Sequence, residues 1–314
     1  MREINEKRYS RVEIEAVNAL ALEDTAKLVE KSEGYYNSQV MSAAKMIKAK
    51  VPQHKFILLC GPSASGKTTT AHKLKHRLIE LGVGARVVSM DNFFTGVENY
   101  PLLPTGKPDM ESIEALDLKL LNSCFNELLE TGRSLFPVFD FVEQVQRKGE
   151  HLVEIGENDV LIMEGIHALN PLVLSNIAQE KIFRIYVSVR TKFINGEETV
   201  LVPKDIRLIR RLVRDYKFRG YAPRHTLEYW HHVVASEKQN IDLYRDDVNL
   251  KMDNTIDYEV CVWHSLLHNL IESLSDGEYP ELERIFAALK RFPEVDYSLI
   301  PKNSLLREFI GEDK

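Results

Sequence analysis

The residues Gly61-Pro62-Ser63-Ala64-Ser65-Gly66-Lys67-Thr68 follow the G-x-x-x-x-G-K-[ST] spacing of a phosphate-binding loop. Gly61 and Gly66 let the main chain wrap closely around an anion, and successive N–H groups of the loop, from Ser63 through Ala64 and Ser65, form a nest for it. Lys67 adds a point charge near the β- and γ-phosphates, and the Thr68 hydroxyl is suited to ligate Mg²⁺. Thr69 continues into a helix whose positive end faces the same anion. These residue types at this spacing predict a grip on a nucleoside triphosphate.

Asp91 follows an apolar run at residues 86–90, which puts it at the carboxyl edge of a sheet beside the expected γ-phosphate. A carboxylate there can take the proton of an attacking hydroxyl. The plainer alternative is a turn aspartate that begins the Asp91-Asn92 loop. Residues 160–164 form an apolar run ending in an acid, the shape of a Walker B strand, and Glu164 is expected to hold Mg²⁺ directly or through water. Between Asp205 and Gly220, helical spacing puts Arg207, Arg211 and Arg214 on one face, with Arg210 close to Arg214. A solvated face or an RNA-binding helix would share that pattern. Next to a triphosphate it fits better as an arginine-bearing lid that neutralises the transferring phosphoryl group and closes over it.

These groups need elements to position them. Phe56–Cys60 reads as a short buried strand running straight into the loop, and residues 69–79 read as the helix after it. Further apolar runs at 86–90, 160–164, 183–189 and 258–263 read as buried strands, mostly separated by helical stretches. That alternation predicts an α/β fold with a five-stranded parallel sheet and helices on both faces. The insert at 92–159 is expected to begin as loop, continue as a helix from Ser112 (a candidate N-cap) to Glu130, and stop at Gly132. Residues 135–139 and 151–155 are expected to pair as a small hairpin. Residues 12–50 read as two helices broken near Gly34, with no sustained strand, and the chain from 265 onward reads as helical. The expected organisation is a helical N-terminal segment (1–50), a catalytic domain (51–264, with insert 92–159 and lid about 205–221) and a helical C-terminal appendage (265–314).

The 314 residues suffice for one large α/β domain with appendages or for two small domains. A net charge of −6 gives no overall basic signature for nucleic acid. Cys60, Cys124 and Cys261 are scattered without zinc spacing, which predicts reduced, buried thiols in a cytoplasmic protein. The first eight residues are charged and lack an apolar core, so no signal peptide is expected. No run reaches the length of a membrane span. The partners expected are small molecules, without nucleic acid or membrane, and a homo-oligomer is left open.

The motifs also occur in a familiar order: the phosphate loop, Asp91-Asn92-Phe93-Phe94, Pro108-Asp109, Pro137-Val138-Phe139-Asp140-Phe141, Glu164-Gly165-Ile166-His167-Ala168-Leu169, and the arginine run ending at Gly220. From residue 55 to 262 the chain resembles the uridine kinase-like nucleoside kinases and their phosphoribulokinase relatives. The resemblance implies a P-loop kinase with strand order 2-3-1-4-5, using ATP as donor and Mg²⁺ as cofactor. It implies transfer to the 5′-hydroxyl of a nucleoside, uridine or cytidine. Asp91 would activate that hydroxyl, with Lys67, Arg211 and Arg214 stabilising the transfer. Asp109 would hold ribose hydroxyls, while Phe139, Asp140, Gln144 and Arg207 would complete the acceptor pocket. Arg210 and Arg219 would reach the donor phosphates.

Two positions depart from the family pattern. Uridine kinases typically carry Tyr-Asp-Phe with a histidine soon after, whereas this chain has Phe139-Asp140-Phe141 and then Gln144. Phe139 loses a phenolic hydrogen bond, and Gln144 keeps a donor and an acceptor. The lid ends Arg219-Gly220-Tyr221, where an arginine usually follows the glycine. Ribose phosphorylation therefore survives the comparison better than the choice of base. One alternative is a kinase for another small alcohol, phosphoribulokinase- or pantothenate kinase-like. The other is a nucleotide-dependent regulatory protein, whose guanine-reading Asn/Thr-Lys-x-Asp segment the sequence lacks.

Overall fold

The computed structural model describes residues 3–4, 10–141, 143–271, 274 and 277–311. The chain opens with β1 (Glu3–Ile4), β2 (Ser10–Glu13), α1 (Ile14–Glu23) and α2 (Thr25–Lys48). It continues through β3 (Phe56–Cys60), α3 (Lys67–Glu80), β4 (Ala85–Ser89), α4 (Leu118–Thr131), and a hairpin of β5 (Arg133–Asp140) and β6 (Val145–Glu154). Next come β7 (Val160–Gly165), β8 (Ile182–Ser188), β9 (Lys192–Asn195), β10 (Glu198–Leu201), α5 (Pro203–Arg219) and α6 (Pro223–Asn240). The last elements are β11 (Leu250–Asp253), α7 (Trp263–Ile271), α8 (Pro280–Leu289) and α9 (Arg307–Ile310).

Five strands make one all-parallel sheet in the order β11-β8-β3-β7-β4. Numbered by chain position from the β4 edge, this is the expected 2-3-1-4-5. The central strand β3 is wholly buried, as a parallel strand covered on both faces must be. Its alternation sends Ile57 and Leu59 into one core and Phe56, Leu58 and Cys60 into the other. The first core takes Tyr36 and Ile47 from α2, Leu74 and Leu78 from α3, Trp263 from α7 and Phe309 from α9. Full burial of an apolar side chain contributes about 1.5–3 kcal/mol, so the terminal helices are integral to this core. On the other face, Leu121, Phe125 and Leu128 line one side of α4, and Phe125 meets Phe56 and Phe136 at 5.2 and 5.4 Å between ring centres.

Several local expectations are corrected. The run at 258–263 is not a strand: a 3₁₀ turn at Asp257–Cys261 leads into α7, closed by Glu259 N–H to Ile256 O (2.9 Å). The fifth strand is instead Leu250–Asp253, short and half polar because it lies at the sheet edge. Gly34 does not break a helix. It sits on the exposed side of α2, where the cost of a helical glycine, about 1 kcal/mol, is outweighed by the buried face of Tyr36, Val40, Ala43 and Ala44. The break falls at Asp24, whose carboxylate caps α2 through Lys27 N–H. β1 and β2 pair with each other in front of these helices, where no strand was expected. Ser112 caps only a 3₁₀ turn, and α4 starts later under the Asp117 cap, stopping as expected at Gly132 in the left-handed conformation. The expected hairpin is present, longer than anticipated.

Candidate active site at the carboxyl edge of the sheet

β3, β4 and β7 end together, with Cys60 in register with Gly165 and both Leu59 and Ser89 beside Glu164. The chain therefore delivers the phosphate loop, Asp91 and Glu164 to one edge. Gly61 passes so close to β8 that a Cβ would stand 2.1 Å from the Val187 carbonyl oxygen, and Gly66 takes φ +82° to turn into α3. The loop is pinned from behind. Asn254 donates to Ser65 O (2.8 Å), and the Arg210 guanidinium reaches Ala64 O (3.4 Å). These contacts engage carbonyls, the end of each peptide that would repel a phosphate. Lys67 Nζ donates to Pro62 O at 3.2 Å.

The Thr68 hydroxyl lies 3.4 Å from Glu164 Oε1. Burial, reinforced by the nearby Asp91 charge, raises Glu164 to a pKa of about 7, against the lowering effect of Lys67 and of a Ser89 hydrogen bond. Burial also raises Asp91, while Lys67, Arg219 and Arg214 pull it down. Two neighbouring carboxyls that each resist ionising, one buried and one half-buried, favour a cation beside them. The hydroxyl and carboxylate oxygens of Thr68 and Glu164 suit Mg²⁺, which takes few protein ligands and completes its shell with phosphate and water.

The arginines of α5 divide into different tasks. Arg211 Nη1 donates to Ser63 Oγ at 2.7 Å, and its guanidinium lies 3.3 Å from Asp215 and 3.9 Å from Glu111. Arg214 donates to Asp215 through Nε and Nη2, and Arg219 joins the same carboxylate at 3.3 Å. Arg207 forms a bidentate pair with Glu237 at 2.7 Å for both bonds, and Glu237 also accepts the Ser63 N–H. Arg210 corrects the expectation of a phosphate ligand. Its side chain is fully buried against Glu259 behind the loop, so it supports the loop's carbonyl side.

On the acceptor side, Asp109 accepts the Glu111 N–H (3.0 Å) and meets His232 Nε2 at 2.9 Å. Phe139 is buried between Phe94 and Phe141, at 5.6 and 5.1 Å, and its N–H donates to Asn92 Oδ1. Tyr100 packs on the same Phe94, and burial together with the Asp91 charge pushes its phenol up to about 12. Asp140 departs from the expected pocket role: it pairs with Arg147 (2.8 Å) and accepts the Glu143 N–H, closing the hairpin end. Gln144 occupies that turn with φ +55°.

Sequence reasoning missed Glu111, Asp215, His232, Glu237, Glu259 and Glu308. Asp215 carried a local signal, four residues from both Arg211 and Arg219. Glu237 and Glu259 lie 30 and 49 residues from their arginines and carried none. No group of three or more metal-ligating side chains occurs among the described residues, and no helix among them is long and apolar enough to cross a membrane.

The family described as "Phosphoribulokinase / Uridine kinase family" matches residues 56–252. The uridine kinase of Mycoplasma genitalium is 29% identical over 224 residues, covering 69% of this chain and 95% of its own length. The uridine kinase of Lactobacillus helveticus is 30% identical over 171 residues, 54% of this chain and 72% of its own. Among solved structures, YFH7 from Saccharomyces cerevisiae superposes with a TM-score of 0.51 at 10% identity, covering 70% of this chain and 99% of that one. At that identity the likeness speaks for the fold alone.

Proposed function

Because the chain belongs to the phosphoribulokinase and uridine kinase family of P-loop kinases, we propose that it transfers the γ-phosphate of ATP to the 5′-hydroxyl of a nucleoside, uridine or cytidine. The observation that carries this reading is Asp91, held at the carboxyl end of β4 beside Glu164 and Lys67, with burial raising its proton affinity. A carboxylate in that state is suited to receive a hydroxyl proton as the phosphoryl group leaves the donor.

Lys67 neutralises the terminal phosphates, and the loop amides orient them for in-line attack. Arg211 and Arg214 stand one turn apart over the same edge, braced by Asp215, and balance charge on the transferring group. Mg²⁺ held by Thr68 and Glu164 would supply further charge neutralisation on the donor phosphates. Asp109, oriented by His232, holds the acceptor's vicinal hydroxyls, and the Phe94, Phe139 and Tyr100 cluster forms an aromatic wall for its ring.

Asp140 favours a second reading, because it pairs with Arg147 where the nucleoside reading expected it to line the acceptor pocket. The fold would then serve another small alcohol. Release of ADP from MgATP, measured across nucleosides and sugar phosphates, separates the two. Turnover with uridine or cytidine giving the 5′-monophosphate is expected. Turnover with another alcohol and none with any nucleoside overturns the first reading.

A further inference from the structure

The C-terminal segment is seated on the phosphate loop. Glu308, on α9, accepts hydrogen bonds from the Thr69 N–H (3.1 Å) and the Thr69 hydroxyl (2.7 Å). Thr69 is in the first turn of α3, so its amide is among the donors that the helix cannot satisfy and that its positive end offers to anions. Leu305 closes over the preceding turn: a Cβ on Gly66 would stand 2.7 Å from Leu305 Cδ1. The carboxylate is delivered by built structure. Leu305, Leu306, Phe309 and Ile310 are buried, and the Arg210 guanidinium lies 5.1 Å from the Phe309 ring centre. Lys217 and Tyr297 both donate to Ile310 O, at 3.1 and 2.8 Å.

A polyphosphate lying along the loop with its terminal group at Lys67 and Asp91 brings its inner phosphate to the first turn of α3. The Thr69 donors cannot serve that phosphate while a carboxylate holds them, and two anions at one helix end repel each other. We propose that Glu308 is a resident anion in the donor site, holding the Thr69 contacts of the α-phosphate, so that donor binding displaces the 304–311 segment. The proposal rests on residues 61–68 being a triphosphate site. Lys217 is on α5, so displacement is also transmitted to the lid helix.

The test titrates the full chain and its Glu308→Gln variant with MgATP and with magnesium tripolyphosphate, followed by calorimetry. Glutamine keeps the shape and loses the charge, and the variant is expected to bind both probes about tenfold more tightly. In the unaltered chain, saturating MgATP is expected to speed hydrogen exchange at the amides of 304–311. Equal or weaker affinity in the variant, or slower exchange in the segment, overturns the proposal. If both chains bind equally well, the triphosphate reading stands and only displacement falls. If neither chain binds either probe, the triphosphate reading itself falls, and displacement with it. If the variant does not fold, the exchange measurement on the unaltered chain decides.

Discussion

Arg210 and Glu259 meet in a bidentate pair, Nε to Oε2 and Nη2 to Oε1 at 2.7 Å each, with both side chains wholly excluded from solvent. The same guanidinium donates to Asn254 O at 2.8 Å and reaches Ala64 O. One residue therefore ties α5 to the phosphate loop and to the turn after β11. Two opposite charges this deep bring little net stability while intact, because desolvation offsets most of their attraction.

Removing one partner is a different matter. Arg210→Met leaves Glu259 charged and unpaired, which should lower unfolding free energy by roughly 3–5 kcal/mol. Adding Glu259→Met should recover only part of that loss: the stranded charge is gone, but the buried Ile256 N–H and Trp263 indole N–H lose their acceptor. Urea denaturation of both variants checks this. Equal destabilisation of the single and double variants would mean that the pair is not what the site needs.

Asp91 gives a prediction about chemistry. Asp91→Asn keeps size and polarity but cannot accept a proton, so kcat should fall by about 10²–10⁴ while MgATP affinity changes little. Stability should rise, because a half-buried carboxyl that resists ionising has been replaced by a neutral amide. Steady-state rates, calorimetric titration and thermal melting give the three readings. An undiminished kcat removes the base assignment.

The sheet and its loop were legible because their signals are local. Phe56–Cys60 is an unbroken apolar run, and the spacing from Gly61 to Thr68 leaves little choice of turn. Glu164 could be placed because it ends another such run, and Asp91 because it follows the strand-like segment at 86–90. The fifth strand was misplaced for a physical reason: at 258–263 the apolar residues are buried by long-range packing around Glu259, not by strand pairing. Burial alone writes the same composition into a strand and into a turn. Arg210 was misread for a related reason, since five arginines on one helix look alike until Glu237 and Glu259 arrive from elsewhere to join Asp215 of the same helix in sorting them.

His232 was invisible in sequence, yet its contact with Asp109 makes a specific expectation. His232→Ala should raise the acceptor KM about tenfold and leave the ATP KM alone, because a hydrogen bond to a charged group is worth about 1.5–3 kcal/mol. His232→Gln, which can still donate, should recover part of the loss. A fall in kcat with unchanged acceptor KM would show that the pair does not act through acceptor binding.

Glu164 connects the site to pH. Its folded pKa of about 7 lies above the ordinary glutamate value of 4.5, so the folded chain favours the protonated form. The stability that this contributes is complete below the ordinary value and is lost as pH rises through about 7. Without ligands, thermal stability should therefore decline from pH 5 toward pH 8. The carboxylate proposed to hold Mg²⁺ appears over the same interval, so on that reading the two dependences run in opposite directions. Added MgCl₂ should raise the melting temperature at pH 8 and have little effect at pH 5.5. The Mg²⁺ activation constant should increase about tenfold per pH unit below 7. Glu164→Gln should flatten both profiles and weaken Mg²⁺ activation at every pH. A melting curve that Mg²⁺ stabilises equally at pH 5.5 and pH 8 would place the metal on other ligands.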